Sequence, residues 1–424
     1  MARNDGSLLI TNATLIDGTG AAPVRDTAIL VEGERIAYAG TGTRLGARSA
    51  ARTIDATGMT VIPGLIDTHI HSTFDSDMRV YLKNGVTTIR FAGLNQDAVV
   101  TLRDRIARGE IPGPRIYSCG PMLDKTPPAY PKWTSPVNTP AEAKATARRL
   151  LAEDKVEALL VTQQITPDLM RPIVETAHEF GRPVVGQIWY TDGREAAEIG
   201  IDQLDNSSRI FASREYPKER LLTYRSIPER LLLLARAWTT VDWDLTRPIM
   251  EAMVRRSVSY CPTLVVLQNQ AGVGREALEA DEDYRTMYGE KELAEWAAFV
   301  RYMQGSASPE ERGIKARAAE VLTEWMRRFR AMGGDIVLGT DMQFGGIVIH
   351  RELKNLEATG MSPLEVITAA TGASARAMRV ADSLGTVRAG MLADLVVLRR
   401  DPLRDLGAAR DIAHVIKGGT IVQV

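Results

Sequence analysis

Val61–His71 reads VIPGLIDTHIH, an apolar run with a Pro-Gly break that ends in two histidines. Side chains two residues apart on a β-strand point to the same face, so His69 and His71 should project together from the end of this strand. Neutral imidazole is a common ligand of divalent transition metals. The stretch therefore predicts a strand whose carboxyl end carries a pair of metal ligands.

Beyond this stretch, apolar strand-like runs alternate with helical patterns as far as residue 341. Eight such units over about 300 residues predict an α/β fold, a (β/α)8 TIM barrel with functional residues at the strand carboxyl ends. Two insertions interrupt the alternation: a proline-rich loop at 121–140 and a mostly helical segment at 267–334. The predicted barrel strands are 65–71, 86–93, 115–120, 156–163, 183–189, 203–206, 257–266 and 335–341.

Both ends of the chain have a different pattern, in which short β-branched runs are separated by glycine turns such as Asp17-Gly18. This pattern is typical of antiparallel β-structure. We expect residues 1–62 and 381–424 to form one small β-sandwich together, beside a catalytic barrel formed by residues 63–380.

Composition narrows the possible classes of protein. The chain has 424 residues, a net charge of -1, 45% hydrophobic residues and 25% charged residues, which argues against a nucleic-acid partner. The sequence contains no signal-peptide pattern and no apolar run long enough to span a membrane. Two cysteines, Cys119 and Cys261, make no disulfide framework. We expect a cytoplasmic protein, a homo-oligomer, with a small-molecule substrate.

The motifs together resemble the metal-dependent amidohydrolase superfamily, in its imidazolonepropionase-like and prolidase-like branch. The resemblance covers nearly the whole chain and implies a barrel beside a β-sandwich built from both termini. It rests on VIPGLIDTHIH and on NATLIDGTG from Asn12, NGVTTIR at 84–90, LGTD at 338–341, HRELKNLEATGMSPLEVITAAT at 350–371 and GTVRAGMLADLVVL at 385–398.

The resemblance implies one or two divalent metals. The family's ligands are two strand-one histidines, a carboxylated strand-four lysine, one histidine each on strands five and six, and a strand-eight aspartate. Only three of these six survive here, and the nearest lysine, Lys155, lies at the wrong end of strand four. The six positions fall on His69, His71, Leu160, Gln187, Asn206 and Asp341.

This partial set favours one metal held by His69, His71 and Asp341. Two imidazoles and a carboxylate suit Zn²⁺, Mn²⁺, Co²⁺ or Fe²⁺. A metal-free pocket and a two-metal site remain alternatives. By the resemblance, Asp341 would move the proton in catalysis, while Gln187 and Asn206 would bind substrate or add weak ligands.

The predicted reaction is mononuclear, metal-dependent hydrolysis of an amide, urea, carbamate or lactone bond. The alternatives are a repurposed lyase, isomerase or cyclase on the same scaffold, and a non-catalytic binding protein. Aromatic residues at or beyond strand ends indicate a small, largely apolar substrate. Its pocket should be lined by Trp189, Tyr190 and Trp133, with His350 at its border.

Overall fold

The structure is a computed structural model that describes residues 6–44, 49–206, 208–224, 226–271, 279–304, 307–342 and 345–423. The strands are β1 (Leu8–Leu15), β2 (Val24–Glu32), β3 (Arg35–Thr41), β4 (Arg52–Asp55), β5 (Thr60–Pro63), β6 (Leu65–Ile70), β7 (Val86–Phe91), β8 (Arg115–Ser118), β9 (Met122–Asp124), β10 (Thr134–Pro136), β11 (Leu159–Gln163), β12 (Val184–Ile188), β13 (Gln203–Asp205), β14 (Ser259–Cys261), β15 (Leu395–Leu398), β16 (Ile412–Lys417) and β17 (Thr420–Ile421). The helices are α1 (Asp75–Lys83), α2 (Gln96–Ala107), α3 (Pro140–Ala152), α4 (Pro167–Glu179), α5 (Gly193–Ile199), α6 (Lys218–Leu221), α7 (Ile227–Thr239), α8 (Trp243–Arg255), α9 (Leu264–Gln270), α10 (Glu282–Met287), α11 (Glu290–Gln304), α12 (Pro309–Ala331), α13 (Gly345–Ala358), α14 (Pro363–Thr368) and α15 (Ser374–Ala377).

Local chemistry explains where several of these helices begin. The Thr139 hydroxyl accepts a hydrogen bond from the Glu142 N–H at 3.2 Å, directly before a proline in the first turn of α3. Asp192 and Glu195 form a reciprocal capping box at the start of α5. Such caps satisfy N–H groups that have no partner inside the helix, so they fix the first residue.

The barrel consists of two groups of parallel strands. One group joins β6, β7 and β8, and the other joins β9, β11, β12, β13 and β14. The groups meet where the backbone N–H groups of Glu157 and Ala158 donate to the Ser118 carbonyl, at 2.9 and 3.2 Å. These bonds join the third and fourth strands of the predicted barrel.

Residues 335–341 close the barrel on its other side. The Val337 N–H donates to the Tyr260 carbonyl at 3.0 Å, and the Thr68 N–H donates to the Leu338 carbonyl at 3.0 Å. The segment therefore lies between β14 and β6, as the eighth strand of a (β/α)8 barrel must. The predicted fold class is confirmed, although this segment forms a single β-bridge and not a continuous ladder.

The seventh strand is shorter than the sequence predicts. It ends at Cys261, and the predicted continuation to residue 266 is wrong. Thr263 has a left-handed backbone with a φ of 46°, after which the apolar run LVVL begins α9. The buried Glu352 carboxylate accepts the N–H groups of Leu264 and Val265 at 2.8 Å each. The carboxylate satisfies backbone N–H groups of the first turn of α9, which have no partner inside the helix. An apolar run whose pattern fits a strand and a helix equally well therefore forms a helix.

The predicted loop at 121–140 contains two short parallel strands. Gly120 has a φ of 63° and turns the chain after β8, so that β9 pairs with β11 and β10 pairs with β9. A left-handed φ of this kind suits glycine, which lacks a Cβ. The third barrel strand is thus split into two parts, and the part after the turn lies beside the fourth strand.

Strands from both ends of the chain form one hydrogen-bonded sheet. Its order is β17-β16-β15-β5-β1-β2-β3, with β4 also paired to β1. The amino-terminal and carboxyl-terminal parts meet where β5 pairs antiparallel with β15. Alternate apolar side chains of these strands form a core separate from that of the barrel, including Ile10, Ile29, Val61, Val397 and Ile416.

The helical insertion packs on the barrel through its aromatic residues. Trp325 and Phe329 are fully buried and stack at 4.8 Å between ring centres. The Trp325 indole N–H donates to the Ile210 carbonyl at 3.1 Å.

Both cysteines, Cys119 and Cys261, are buried and free. Within the described residues, no helix combines the length and apolarity needed to cross a membrane.

Candidate metal centre

The two histidines and the aspartate of the sequence motifs meet at the carboxyl ends of the barrel strands. His69 lies in β6, and His71 directly follows that strand. His71 Nε2 lies 2.7 Å from Asp341 Oδ1, and His69 Nε2 lies 3.3 Å from both His71 Nε2 and Asp341 Oδ1. The Asp341 N–H donates to the His69 carbonyl at 2.8 Å. The backbone therefore holds the carboxylate directly beside the histidine strand.

These three ligand atoms fit a single divalent metal. Ligands bound at about 2.1 Å lie roughly 3.0–3.4 Å from one another in octahedral or tetrahedral geometry. The observed separations are close to that range, and all three atoms lie within 4.8 Å of one another. Two imidazole nitrogens that face each other at 3.3 Å need a proton or a cation between their lone pairs. The donor set and its spacing both suit a cation.

Asp205 fixes the orientation of His69, although it belongs to none of the sequence motifs. Its Oδ2 lies 2.5 Å from His69 Nδ1, and both side chains are fully buried. Gln203 Nε2 donates to the other carboxylate oxygen of Asp205 at 2.5 Å. A carboxylate on Nδ1 keeps the proton there, which leaves Nε2 as the free ligand atom. The sequence of β13 carried a signal for this role, because Gln203 and Asp205 are two residues apart and therefore lie on the same face of the strand.

The two amide residues predicted from the ligand positions both contact this cluster. Gln187 Nε2 lies 2.9 Å from His69 Nε2. The Asn206 amide nitrogen donates to Asp341 Oδ2, and Asn206 itself has a left-handed φ of 50°. Amide oxygen and nitrogen positions are assigned from the hydrogen bonds around them. In the opposite orientation, Gln187 would present its oxygen as a weak ligand.

Charge holds the centre together. Burial alone would lower the pKa of His69, but the carboxylates of Asp341 and Asp205 raise it to about 10. Burial alone would raise the pKa of Asp341, but His69 and His71 hold it well below its ordinary value. Carboxylates that favour a proton on His69 favour a metal cation at the same point. Protons and a metal cation would therefore compete for this cluster.

Asp67 connects the histidine strand to the aspartate segment. It accepts the Thr340 N–H at 3.0 Å and the Thr340 hydroxyl at 2.7 Å. Burial raises the pKa of Asp67 to about 7, although these hydrogen bonds oppose the shift. The aspartate two residues before His69 therefore positions Asp341 through Thr340.

The strand-four position offers no bridging ligand. Leu160 is fully buried in an apolar cluster with Cys119, Met122 and Val185. Lys155 is exposed in the turn before β11, with a φ of 54°. It therefore lies at the amino end of the strand, whereas the histidines lie at the carboxyl end of theirs.

The remaining predicted substrate residues occupy different environments. Trp189 is buried at the end of β12, and its ring lies edge-on to Tyr224 at 5.9 Å. Tyr190 is half-buried and lies under the Lys218 ammonium group, at 4.2 Å. Trp133 is 43% exposed beside Tyr130. His350 lies half-buried in α13.

Comparison with known proteins gives consistent relatives. The family model described as "Amidohydrolase family" matches residues 60–422. Ochratoxinase from Aspergillus niger is 22% identical over 97% of this chain and 86% of its own length. Imidazolonepropionase from Paenarthrobacter aurescens (strain TC1) is 35% identical over 25% of this chain and 29% of its own length. A crystal structure of a Xaa-Pro dipeptidase with bound methionine superposes with a TM-score of 0.72 at 21% identity, covering 99% of this chain and 100% of that one.

Proposed function

We propose that this chain, which belongs to the amidohydrolase family, hydrolyses an amide, urea, carbamate or lactone bond of a small molecule with one divalent metal. The observation that carries the proposal is the convergence of His69, His71 and Asp341 within 4.8 Å at the mouth of the barrel. Its relatives are named as an ochratoxinase and a Xaa-Pro dipeptidase, which supports hydrolysis of an amide-type bond. The cytoplasmic location and the homo-oligomer stay predictions.

The metal would be Zn²⁺, Mn²⁺, Co²⁺ or Fe²⁺, held by His69 Nε2, His71 Nε2 and an Asp341 oxygen. When bound, such a metal supplies the positive charge that acidifies water and polarises a carbonyl group. Asp205 holds His69 in the tautomer that exposes Nε2. The leucine at the strand-four position supports one metal instead of two, because leucine cannot carry a bridging carbamate.

Proton transfer falls on Asp341. Gln187 and Asn206 carry neutral amides, which cannot serve as a general base. Asp341 has a second oxygen, and the Asn206 amide N–H donates to it. This hydrogen bond orients the Asp341 carboxylate. The carboxylate then takes a proton from water and passes it to the leaving group.

Elemental analysis tests the metal part of this proposal. We expect protein expressed with added metal to hold about one equivalent per chain, measured by plasma mass spectrometry. His69→Ala should lower this content first, with turnover falling in proportion. Two equivalents per chain, or full activity of a metal-free preparation in chelator, would contradict a mononuclear metal hydrolase.

Asp341→Asn tests the chemistry. We expect the variant to keep its fold and its turnover to fall about 10²–10⁴-fold, the usual contribution of general acid–base catalysis. The measurement is steady-state hydrolysis of a substrate found by screening. Asp335→Asn, at the amino end of the same segment, is the matched control and should turn over like the wild type. An Asp341→Asn enzyme with more than roughly a tenth of wild-type turnover would rule out this mechanism.

A further inference from the structure

Arg230 of α7 is a buried cation enclosed by three aromatic rings. Only 4% of the residue is exposed. Its guanidinium carbon lies 5.1 Å from the ring centre of Tyr130, 5.6 Å from that of Trp189 and 6.0 Å from that of Tyr224. The rings come from the loop between β9 and β10, from the residue after β12 and from the segment before α7. We call this arrangement the Arg230 cage.

The guanidinium has more donors than its surroundings use. Arginine carries five N–H bonds and stays charged at every physiological pH. One of its nitrogens, Nη2, donates to the Tyr130 hydroxyl at 2.5 Å. No described residue accepts a hydrogen bond from Nε or Nη1. Among the described residues, Arg230 also forms no ion pair with a carboxylate, which is unusual for a buried charge.

Aromatic faces offset only part of the cost of burying this charge. Cation–π contacts are weaker than the desolvation cost of an ion, so a buried cation normally has an anion beside it. Arg209 shows the ordinary solution nearby, since its Nη2 donates to the Tyr190 carbonyl at 3.0 Å and lies 3.6 Å from Asp192. The Arg230 cage lacks such a carboxylate of its own among the described residues.

The Arg230 cage adjoins the candidate metal centre. Trp189 directly follows the last residue of β12, two residues after Gln187, and its N–H donates to the Gln163 carbonyl at 3.1 Å. Gln187 contacts His69 at 2.9 Å, while the Trp189 ring contacts Arg230. A second link runs through Tyr224, whose hydroxyl donates to Gln163 at the end of β11 at 2.7 Å. The Arg230 cage and the metal centre are therefore connected through residues at the carboxyl ends of the neighbouring strands β11 and β12, an arrangement that could hold the two ends of one small molecule.

We propose that Arg230 binds a carboxylate group of the substrate, and that the surrounding rings hold an aromatic or apolar part beside it. The planar fork of a guanidinium matches a carboxylate with paired hydrogen bonds. The incoming carboxylate takes the place of the Tyr130 hydroxyl oxygen, which is the acceptor of Arg230 in this structure. The inference rests on the proposed function, because it assigns the other end of the molecule whose scissile bond lies at His69, His71 and Asp341. It adds one charged group to the small, largely apolar substrate that the sequence predicts.

Binding of matched probes tests the inference without any turnover. The probes are the phenyl-substituted acids from benzoate to 4-phenylbutyrate and the primary amide of each acid, titrated by calorimetry into the full-length protein. We expect at least one acid to bind about 10- to 100-fold more tightly than its amide, as a charge-assisted pair does. Arg230→Gln should remove that preference and leave the affinity for the amide within about twofold.

Two further variants separate binding from folding. Arg230→Lys keeps the charge without the fork, so it should retain a reduced preference even if Arg230→Gln folds poorly. Arg220→Gln is the matched control, since Arg220 lies over the Tyr216 ring at 4.3 Å but on the surface. Equal or absent binding of acids and amides to the wild type would overturn the inference, as would a preference that survives in folded Arg230→Gln. A carboxylate preference in a protein without hydrolytic activity would instead leave this subsite standing and remove only the proposed reaction.

Discussion

Single side chains decide which tautomer and which charge the candidate centre holds. His69 is buried between Asp205 on one ring nitrogen and Asp341 on the other. The ligand atom Nε2 is available only while Nδ1 keeps its proton, and Asp205 enforces this. Its role is to position His69, since Asp205 contacts the histidine and not the predicted metal position.

Replacing Asp205 should weaken metal binding more than it weakens the fold. In Asp205→Asn, a neutral amide can donate to Nδ1 and so favour the tautomer that blocks Nε2 with a proton. We expect Zn²⁺ affinity to fall about 10- to 100-fold, the usual cost of removing such a partner. The measurement is a titration of metal-free protein against a competing chelator.

Asp202 provides the matched control for this substitution. It forms an aspartate–histidine pair with His178 at 3.0 Å, on the surface and away from the metal ligands. Asp202→Asn should therefore leave Zn²⁺ affinity unchanged. Equal affinity in Asp205→Asn and the wild type would show that this carboxylate does not set the tautomer.

At the residue scale, the sequence predicted the candidate ligands that the structure brings together, but not the residues that support them. His69, His71 and Asp341 follow from motifs, because their identities and spacing are local. The sequence did not predict Asp205, because the family's strand-six ligand position falls on its neighbour Asn206. Strand alternation nevertheless puts Asp205 on the inner face of β13. The Arg230 cage was beyond sequence reading, since its parts come from separate segments that meet only in the fold.

Among the elements, the segment 335–341 depends on close contact with both of its neighbours. A Cβ added at Gly339 would lie 2.4 Å from Cys261 Sγ and 3.0 Å from His69 Cβ. The absence of a side chain lets the segment approach β14 and β6 closely enough to close the barrel. This contact explains why a glycine stands in the middle of a strand-like run.

Gly339→Ala should destabilise the protein by about 1–3 kcal/mol, the usual cost of overpacking a core. Cys261→Ala removes the nearest clashing atom, so the double variant should be less destabilised than the sum of the two single variants. We expect a coupling free energy of about 1 kcal/mol from a double-mutant cycle in urea. Strict additivity would mean that Cys261 does not limit this approach.

Element boundaries show where sequence reasoning stops. The period-2 and helical patterns located the barrel strands, because burial imposes those periods. The apolar run after Cys261 has no such period. Its secondary structure depends on Glu352, a residue far along the chain that caps α9. The split of the third strand at Gly120 was equally invisible, because a single glycine permits a turn without requiring one.

For the molecule as a whole, the β-sheet and the barrel are joined by charged side chains that are buried or half-buried. Arg115 of β8 donates to Asp394 at 2.7 and 3.1 Å, and the Gly418 N–H donates to the same carboxylate at 2.7 Å. Lys417 donates to the Gly113 carbonyl at 2.5 Å. Burial and the neighbouring Arg115 lower the pKa of Lys417 to about 8.

This lowered pKa makes stability depend on pH in a defined direction. Between pH 8 and 10.5, the folded state has lost the Lys417 proton while the unfolded state still holds it, so the free energy of unfolding rises with pH. Relative to Lys417→Met, the wild type should gain about 1–2 kcal/mol between pH 7 and 10. Urea denaturation at both pH values measures it, with the exposed Lys291→Met as control. A constant difference between wild type and Lys417→Met across this range would refute the assignment.

The pairing of β5 with β15 has a consequence for how the protein is made. Arg35 donates to the Gly390 carbonyl across 355 residues of chain, and β5 finds its partner at a comparable distance along the sequence. At roughly 5–20 residues per second of translation, the open edge of β5 waits on the order of 20–70 seconds for that partner. An unpaired edge is a template for aggregation, so the nascent chain has its greatest need of a chaperone while the barrel is still being synthesised. The yield of expressed protein should therefore depend more on a lower growth temperature and on added chaperones than on the stability of the finished fold.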